Sequence, residues 1–502
     1  MEGYDAKENG RGSLCVQWLG GVCVSRVANN YIGIDLGFSN VVVAYYDGIG
    51  KTGVACEFQE GGRLSPAFIS FEDGGRYIVG KSAKENAVLE PEKTVGEFKR
   101  FIGENDTLIT IEGKSYKAED LLEILLKYVV HNANEYLETV VEGAVITVPN
   151  SFGDEKRRVV VEAGKRVGLR EVILLDESTA AIYHNDAVAN LKGMVATLDL
   201  GGSTFDVTVA SISDNTIDVV GLDGDGKLGG KDWDNALKEY VKSKYLKGKS
   251  LSIYDEQQLD IDIEKAKIAL TNKEKTRLIV NSEEDKQSVI ITREEFEKCT
   301  KQLLNRAETI IRETFREIKP DKIYMVGGAT KMPQFREMIS QLFPDVSIAT
   351  KDPDEAVARG AAVYAQLLLT KERVLQVKEL KNISAHGYGI EVLSRKRGDK
   401  RVYNLIKKGE SLPKTIERVF YTGDDDSHKE IGLKIYETKG IGDFSAIDEK
   451  GFLGMVKIEK GGELKKYSPV TVYFTLDADG ILSVRGMEPK WETAGHGSFT
   501  TK

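Results

Sequence analysis

The 502 residues include only four cysteines, Cys15, Cys23, Cys56 and Cys299, and five histidines. The cysteines lie far apart with no CxxC spacing and the histidines do not gather round them. Neither a zinc site nor a disulfide framework is indicated, and the thiols read as reduced. The chain also lacks an unbroken apolar run of the 18 or so residues that a spanning helix needs, so no membrane partner is expected. It has no basic excess: 70 Lys and Arg stand against 79 Asp and Glu, a net charge of −9. Without a basic surface, nucleic acid is a poor partner. Residues 1–29 lack the positive start of a secretory leader, since Glu2, Asp5 and Glu8 stand there, and VSRVANN is a poor cleavage site. They read as an extension, and the protein as cytoplasmic. No low-complexity segment occurs, and a content of 41% hydrophobic and 30% charged residues suits a globular chain of about three domains.

The rest of the chain is organised around Val195 to Ser211, VATLDLGGSTFDVTVAS: an apolar strand, a glycine turn and a second alternating strand. Glycines in such a turn let backbone N–H groups approach a phosphate, and the Asp ends the strand beside it. One such turn is weak evidence. An earlier copy, YIGIDLGFSNVVVAYYD from Tyr31 to Asp47, places Asp35 as the counterpart of Asp199. Two such hairpins facing each other clamp one nucleotide between two lobes. A third glycine turn, IYMVGGATK from Ile323 to Lys331, follows another apolar strand and suits a nucleoside contact.

Strand and helix signals alternate around these turns. Asp120 to Val140 has amphipathic helical spacing, AVITVP at Ala144 to Pro149 reads as a strand, and Asp154 to Gly168 starts acidic and stops on glycine like a capped helix. Thr292 and Glu295 stand in capping-box spacing before a long amphipathic helix, and Asp352 to Leu368 carries small residues along one face. The alternation implies α/β lobes. From about Asn382 the pattern becomes period-two runs separated by turns, with DADG at Asp477 to Gly480 as a hairpin signal, which implies a β sandwich.

Together IGIDLG, YIVGKSAKENA, AVITVPNSFGDEKRR, LDLGGSTFDV, KLGGKDWDN, MVGGATKMP and DPDEAVARGAAV resemble the seventy-kilodalton heat-shock chaperones of DnaK type, over roughly Tyr31 to Met487. The resemblance implies a two-lobed, duplicated actin-like ATPase of ribonuclease-H-like type followed by an all-β peptide-binding sandwich. The expected divisions are an extension 1–29, an ATPase domain 30–370 with lobes at about 30–195 and 196–370, a linker 371–381, a sandwich 382–488 and a tail 489–502.

By that resemblance Asp35 and Asp199 hold hydrated Mg²⁺ of ATP or ADP, with K⁺ as a further cation. Asp199 also stands near the attacking water, Thr204 and Ser39 position phosphate oxygens, Lys84 orients the water and stabilises γ-phosphate charge, and Glu177 completes the magnesium shell. Gly37, Phe38, Asn40, Gly201, Gly202, Ser203, Gly229, Gly230, Gly327, Gly328, Ala329 and Lys331 line the nucleotide. Glu264, Lys267 and Thr271 contact adenosine, and Asp354 lies nearby. Pro149 and Arg157 match positions that relay nucleotide state. Leu393, Ile431 and Leu433 line the peptide groove with Gly423 at its arch, the plainer alternative being that these side chains are sandwich core. Unfolded or extended polypeptide, a J-domain cochaperone and a nucleotide exchange factor are the implied partners.

The sequence departs from the family at several points. Phe38 replaces the first of two hydroxyls after DLG, which removes a phosphate contact and predicts weak hydrolysis. Ser203 replaces a third glycine, and Ile268 stands where an arginine stacks on adenine. VLQVKEL keeps the linker's apolar residues without its pattern, and no helical segment after Met487 could serve as a lid, which predicts fast peptide exchange. An ATP-binding scaffold that hardly hydrolyses, a small-metabolite kinase and an actin-like filament protein are the rival readings.

Overall fold

The computed structural model describes residues 15–19, 22–25, 27–104, 107–247, 249–282, 285–369, 378–393, 398–423, 430–459, 466–487 and 495–497. The strand Asn40–Asp47, NVVVAYYD, is buried at all six of its central positions, as a near-continuous apolar run requires when helices cover both faces of a sheet. It pairs antiparallel with Val27–Asp35 to make the first hairpin. The sheet around it runs Glu171–Asp176, Gly143–Val148, Val27–Asp35, Asn40–Asp47, Thr52–Ala55, with the first two junctions parallel and the last two antiparallel.

The second lobe repeats this order. Its sheet runs Ser347–Ala349, Lys322–Val326, Gly193–Leu200, Phe205–Ile212, Thr216–Asp225, again parallel, parallel, antiparallel, antiparallel. Register places Asp35 opposite Val42 and Asp199 opposite Asp206, so the two acids end equivalent strands of equivalent hairpins. The duplication read from sequence is therefore a duplication of topology.

Helices Glu177–Ala189 and Ala356–Leu369 cross between the two sheets. The small-residue face of the second buries Ala358 and Ala362 against Val42, Ala44 and Ala55. A side chain at Gly33 would meet the backbone of Ala361 and Ala362, so helix and strand touch main chain to main chain. Each lobe keeps its own apolar core, one built on the helix Ala118–Leu137, the other on Trp233, Phe205 and Phe335. The capping box at Thr292 and Glu295 opens the helix Arg293–Thr314, as its spacing predicts.

Several expectations change at the chain's joints. Within the supposed extension, Cys15–Leu19 and Val22–Ser25 pair as a small antiparallel ribbon, and the first sheet strand already begins at Val27. Residues 371–377 of the expected linker lie outside the described residues, while Glu379–Lys381 joins the second lobe's sheet as a parallel strand beside Thr216–Asp225. Lys378, just before it, is buried, its ammonium donating to Asp186 at 2.6 Å and to the Leu191 carbonyl at 2.5 Å.

The C-terminal part is a sandwich of a five-stranded and a four-stranded sheet. Its DADG turn joins Pro469–Leu476 to Leu482–Met487, with Gly480 at φ 74°. This turn docks on the first lobe. Leu174 N donates to the Asp479 carboxylate at 3.1 Å, Arg157 to the Asp479 carbonyl at 3.0 Å, and Leu482 N to the Asp154 carboxylate at 2.6 Å. Glu437 of the sandwich accepts from Asp154 N at 3.2 Å, placing a carboxylate at the N-terminus of the helix Asp154–Arg166, where the helix dipole favours it.

Candidate nucleotide site

The two hairpin turns meet at the mouth of a cleft between the lobes. A Cβ on Gly202 would lie 3.4 Å from the Phe38 ring and would collide with Ser39, so the first turn rests directly on the second. Gly327 has φ 82°, and a Cβ there would come within 2.6 Å of the Asp199 carboxylate, which explains the third glycine turn. Asp35, Gly37, Phe38, Ser39, Asn40, Glu177, Asp199, Gly201, Gly202, Ser203, Thr204, Gly327, Gly328 and Asp354 line one cavity of about 1210 Å³, together with Pro149. Residues scattered over more than 300 positions thus share one wall.

The acids in this cavity repel one another. Burial pushes the Asp35 and Asp199 carboxyls up to about 7, with Asp35 adding to the rise at Asp199. Burial, then Asp199 and Asp35, carries Glu177 well above the carboxylate range. Asp206 is raised in the same way, by burial and by Asp199, although Asn150 N donates to it at 3.0 Å and Thr204 through its hydroxyl. Such a set calls for positive charge.

The positive charge is Lys99, not Lys84. Lys99 is buried, its ammonium has no hydrogen-bond partner, and burial pulls it down to about 7 while Asp35 and Glu177 pull it back up. It stands in the one-turn helix Phe98–Phe101, anchored by the core residues Phe98 and Ile102. Lys84 points elsewhere, into an ion pair with Glu264 at 2.8 Å that bridges the lobes. Lys84, expected beside the γ-phosphate, is thus placed away from these acids. Lys84, Gly230, Glu264 and Lys267 line a neighbouring cavity of about 280 Å³, where Lys267 donates to Asp234 at 2.8 Å and to the Gly230 carbonyl at 3.0 Å.

Of the remaining expected residues, Lys331 pairs with Asp354 at 2.7 Å, Gly229 packs beneath Ser203, and Thr271 donates back to the Lys267 carbonyl. Ala329 is buried in the second core, and Ile268 is 58% exposed. Phe38 stacks under the Arg100 guanidinium at 5.2 Å. Sequence reasoning missed Lys99, Arg100 and Asp206. Asp206 carries a signal in retrospect, being the one acid in the apolar strand Phe205–Ile212, all but one of whose residues are buried.

Oxygen donors of this kind suit a hard cation. Among the described residues no group of three or more His, Cys, Asp or Glu is close enough to cage a metal directly. The unpartnered Lys99 ammonium on the wall of this cavity fits instead an anion such as phosphate that brings a hydrated cation with it.

Pro149 ends the strand that lines the cleft, and the chain beyond it reaches the sandwich. Arg157 donates to the Phe152 carbonyl at 2.8 Å and to Asp176 at 2.5 Å as well as to Asp479. In the sandwich, Leu393 is 65% exposed and Gly423 faces open space, whereas Leu433 belongs to the core and Ile431 packs partly against it. The plainer alternative therefore holds for Leu433. Residues 424–429, next to Gly423, lie outside the described residues.

A family model described as Hsp70 protein matches residues 31–496. The chain is 29% identical over 497 residues to "Heat shock 70 kDa protein, mitochondrial" of Solanum tuberosum, covering 91% of this chain and 70% of that one. It is 28% identical to the protein of the same name from Pisum sativum, over 91% and 71% of the two chains. It is 30% identical over 472 residues to "Chaperone protein DnaK" of Thermotoga neapolitana, over 90% and 77%.

Proposed function

The chain belongs to the Hsp70 family, and from that premise we propose that it is an ATP-dependent chaperone whose nucleotide is gripped between the two glycine turns. The observation that carries this reading is the pair of equivalent hairpins ending in Asp35 and Asp199, with Lys99 buried at their junction. Backbone N–H groups of Gly37 to Asn40 and of Gly201 to Thr204 cradle the phosphates, helped by the Ser39 and Thr204 hydroxyls. Asp35, Glu177 and Asp199 hold the water shell of Mg²⁺, and K⁺ serves as a further counter-charge. Bound Mg²⁺ supplies charge neutralisation at the phosphoryl oxygens.

Lys99 then meets the γ-phosphate, and the cost of burying its ammonium is offset by that anion. Asp199, beside the second glycine turn on the wall of the cavity, orients the attacking water. Glu264, Lys267, Thr271, Lys331 and Asp354 border the nucleoside. Nucleotide state reaches the sandwich through Pro149 and Arg157, and Leu393, Ile431 and Gly423 border the groove that holds unfolded or extended polypeptide. A J-domain cochaperone and a nucleotide exchange factor act on the cycle. The test is the release rate of a fluorescent extended peptide with ADP and with ATP, each with Mg²⁺ and K⁺. Faster release in ATP, lost in Asp199→Ala, is expected; release indifferent to nucleotide would refute the coupling.

A further inference from the structure

Two departures noted in the sequence, Phe38 and Ser203, meet at one side chain. Arg100 of the first lobe lies over the Phe38 ring at 5.2 Å, donates through Nε to the Ser203 hydroxyl at 2.9 Å, and forms a fork with Asp232 of the second lobe at 3.2 and 2.7 Å. One turn earlier, Glu97 accepts an ion pair from Lys231 at 2.7 Å. The two pairs have opposite polarity. The first lobe presents a minus and a plus three residues apart, and the second presents a plus and a minus on adjacent residues at the start of the helix Gly230–Val241.

The Arg100, Asp232 and Lys231 side chains are at most 20% exposed, and a planar guanidinium held by a carboxylate on two nitrogens and by a ring on its face is well fixed. Lys231 has a second, weaker contact with Asp260 at 3.8 Å inside its own lobe. Phe38, Ser39 and Gly202 line both cavities, so this cluster stands where the larger and smaller spaces adjoin. Parting the lobes there breaks both pairs together.

We propose that Arg100, with the reciprocal Glu97–Lys231 pair, is a positioning clasp that holds the lobes closed over the phosphates and sets the rate at which nucleotide leaves. This rests on the nucleotide reading above. In this role the Phe38 ring substitutes for a phosphate contact by seating the arginine, and the Ser203 hydroxyl ties it to the second turn.

The test is the dissociation of fluorescent ADP from the full chain, alongside the distance between dyes placed on the two lobes. Lys231→Glu, which sets two acids against each other, is expected to speed release roughly tenfold. Adding Glu97→Lys to make the swapped pair is expected to restore the rate to within about threefold, and higher salt to speed release from the unaltered protein. Release unchanged in Lys231→Glu overturns the clasp, as does an acceleration that the swap fails to reverse, which a merely damaged fold would give. If the unaltered protein holds no nucleotide, the nucleotide reading falls instead. The dye distance then decides whether the pairs position the lobes: a cleft that widens in Lys231→Glu and narrows again in the swap supports that, and one of constant width refutes it.

Discussion

Arg157 donates a hydrogen bond to the backbone carbonyl of Asp479 at 3.0 Å, across 322 positions of chain. The same guanidinium holds Asp176, the last residue of the strand Glu171–Asp176, which leads directly into Glu177 of the nucleotide cavity. One side chain therefore touches both the element that enters the cleft and the turn that anchors the sandwich. Arg157→Gln is expected to leave nucleotide binding intact while peptide release becomes the same in ADP and ATP. Fluorescent-peptide release measured in both nucleotides checks this, and a retained difference between them refutes it.

Lys99 and Lys84 make opposite forecasts. Removing the Lys99 ammonium takes a preorganised charge from the cavity, and single-turnover ATP hydrolysis in Lys99→Met is expected to drop by roughly 10² to 10³. Lys84→Met breaks the partly exposed pair with Glu264, worth about 1 kcal/mol or less, and a cation–ring contact with Phe68, and is expected to keep hydrolysis within about threefold. The reverse order of effects would return the role to Lys84.

Docking of the sandwich should weaken as pH rises. Burial raises the Asp479 carboxyl to about 6 in the docked protein, with Asp477 and Asp176 adding to the rise against Leu174 N and Arg157, while an undocked turn returns it to the ordinary value of 3.8. Asp154, across the same contact, is raised by burial too. A group whose value is raised in one state stabilises that state below its ordinary value and loses the effect as pH climbs through the raised value. From pH 5 to pH 7 the docked fraction relative to undocked is expected to fall about tenfold from Asp479 alone. Fluorescence transfer between the first lobe and the sandwich reads this, and Asp479→Asn, which still accepts from Leu174 N, should flatten the curve.

The buried Lys378–Asp186 pair is expected to be asymmetric. Asp186→Ala strands a buried ammonium and should cost about 3 to 5 kcal/mol in urea unfolding, whereas Lys378→Met/Asp186→Leu, which removes both charges together, should lie close to the unaltered protein. Equal losses in the two variants would mean that the pair contributes net attraction.

The hairpins, the duplication and the sandwich were legible in sequence because each rests on local periodicity and a glycine turn. Asp35 and Asp199 followed, since strand ends beside such turns carry them. Lys99 did not. It sits in a single helical turn too short to show a period, and a Lys–Arg pair between two phenylalanines looks like any other surface charge. Arg100 was hidden for the same reason. The docking contacts of Asp154, Leu174, Asp479 and Leu482 join segments about 300 positions apart, and nothing local marks either side. Leu433 differs again: alternation showed that it faces one side of its strand but not whether that side was groove or core.

The short parallel strand Glu379–Lys381 covers the outer rim of the second lobe's sheet, with Glu379 opposite Thr216, Leu380 opposite Ile217 and Lys381 opposite Asp218. That pairing occupies backbone groups of Thr216 to Asp218 on an edge that would otherwise be open to an extended chain. At this end of the sheet the chain thus serves as its own edge strand.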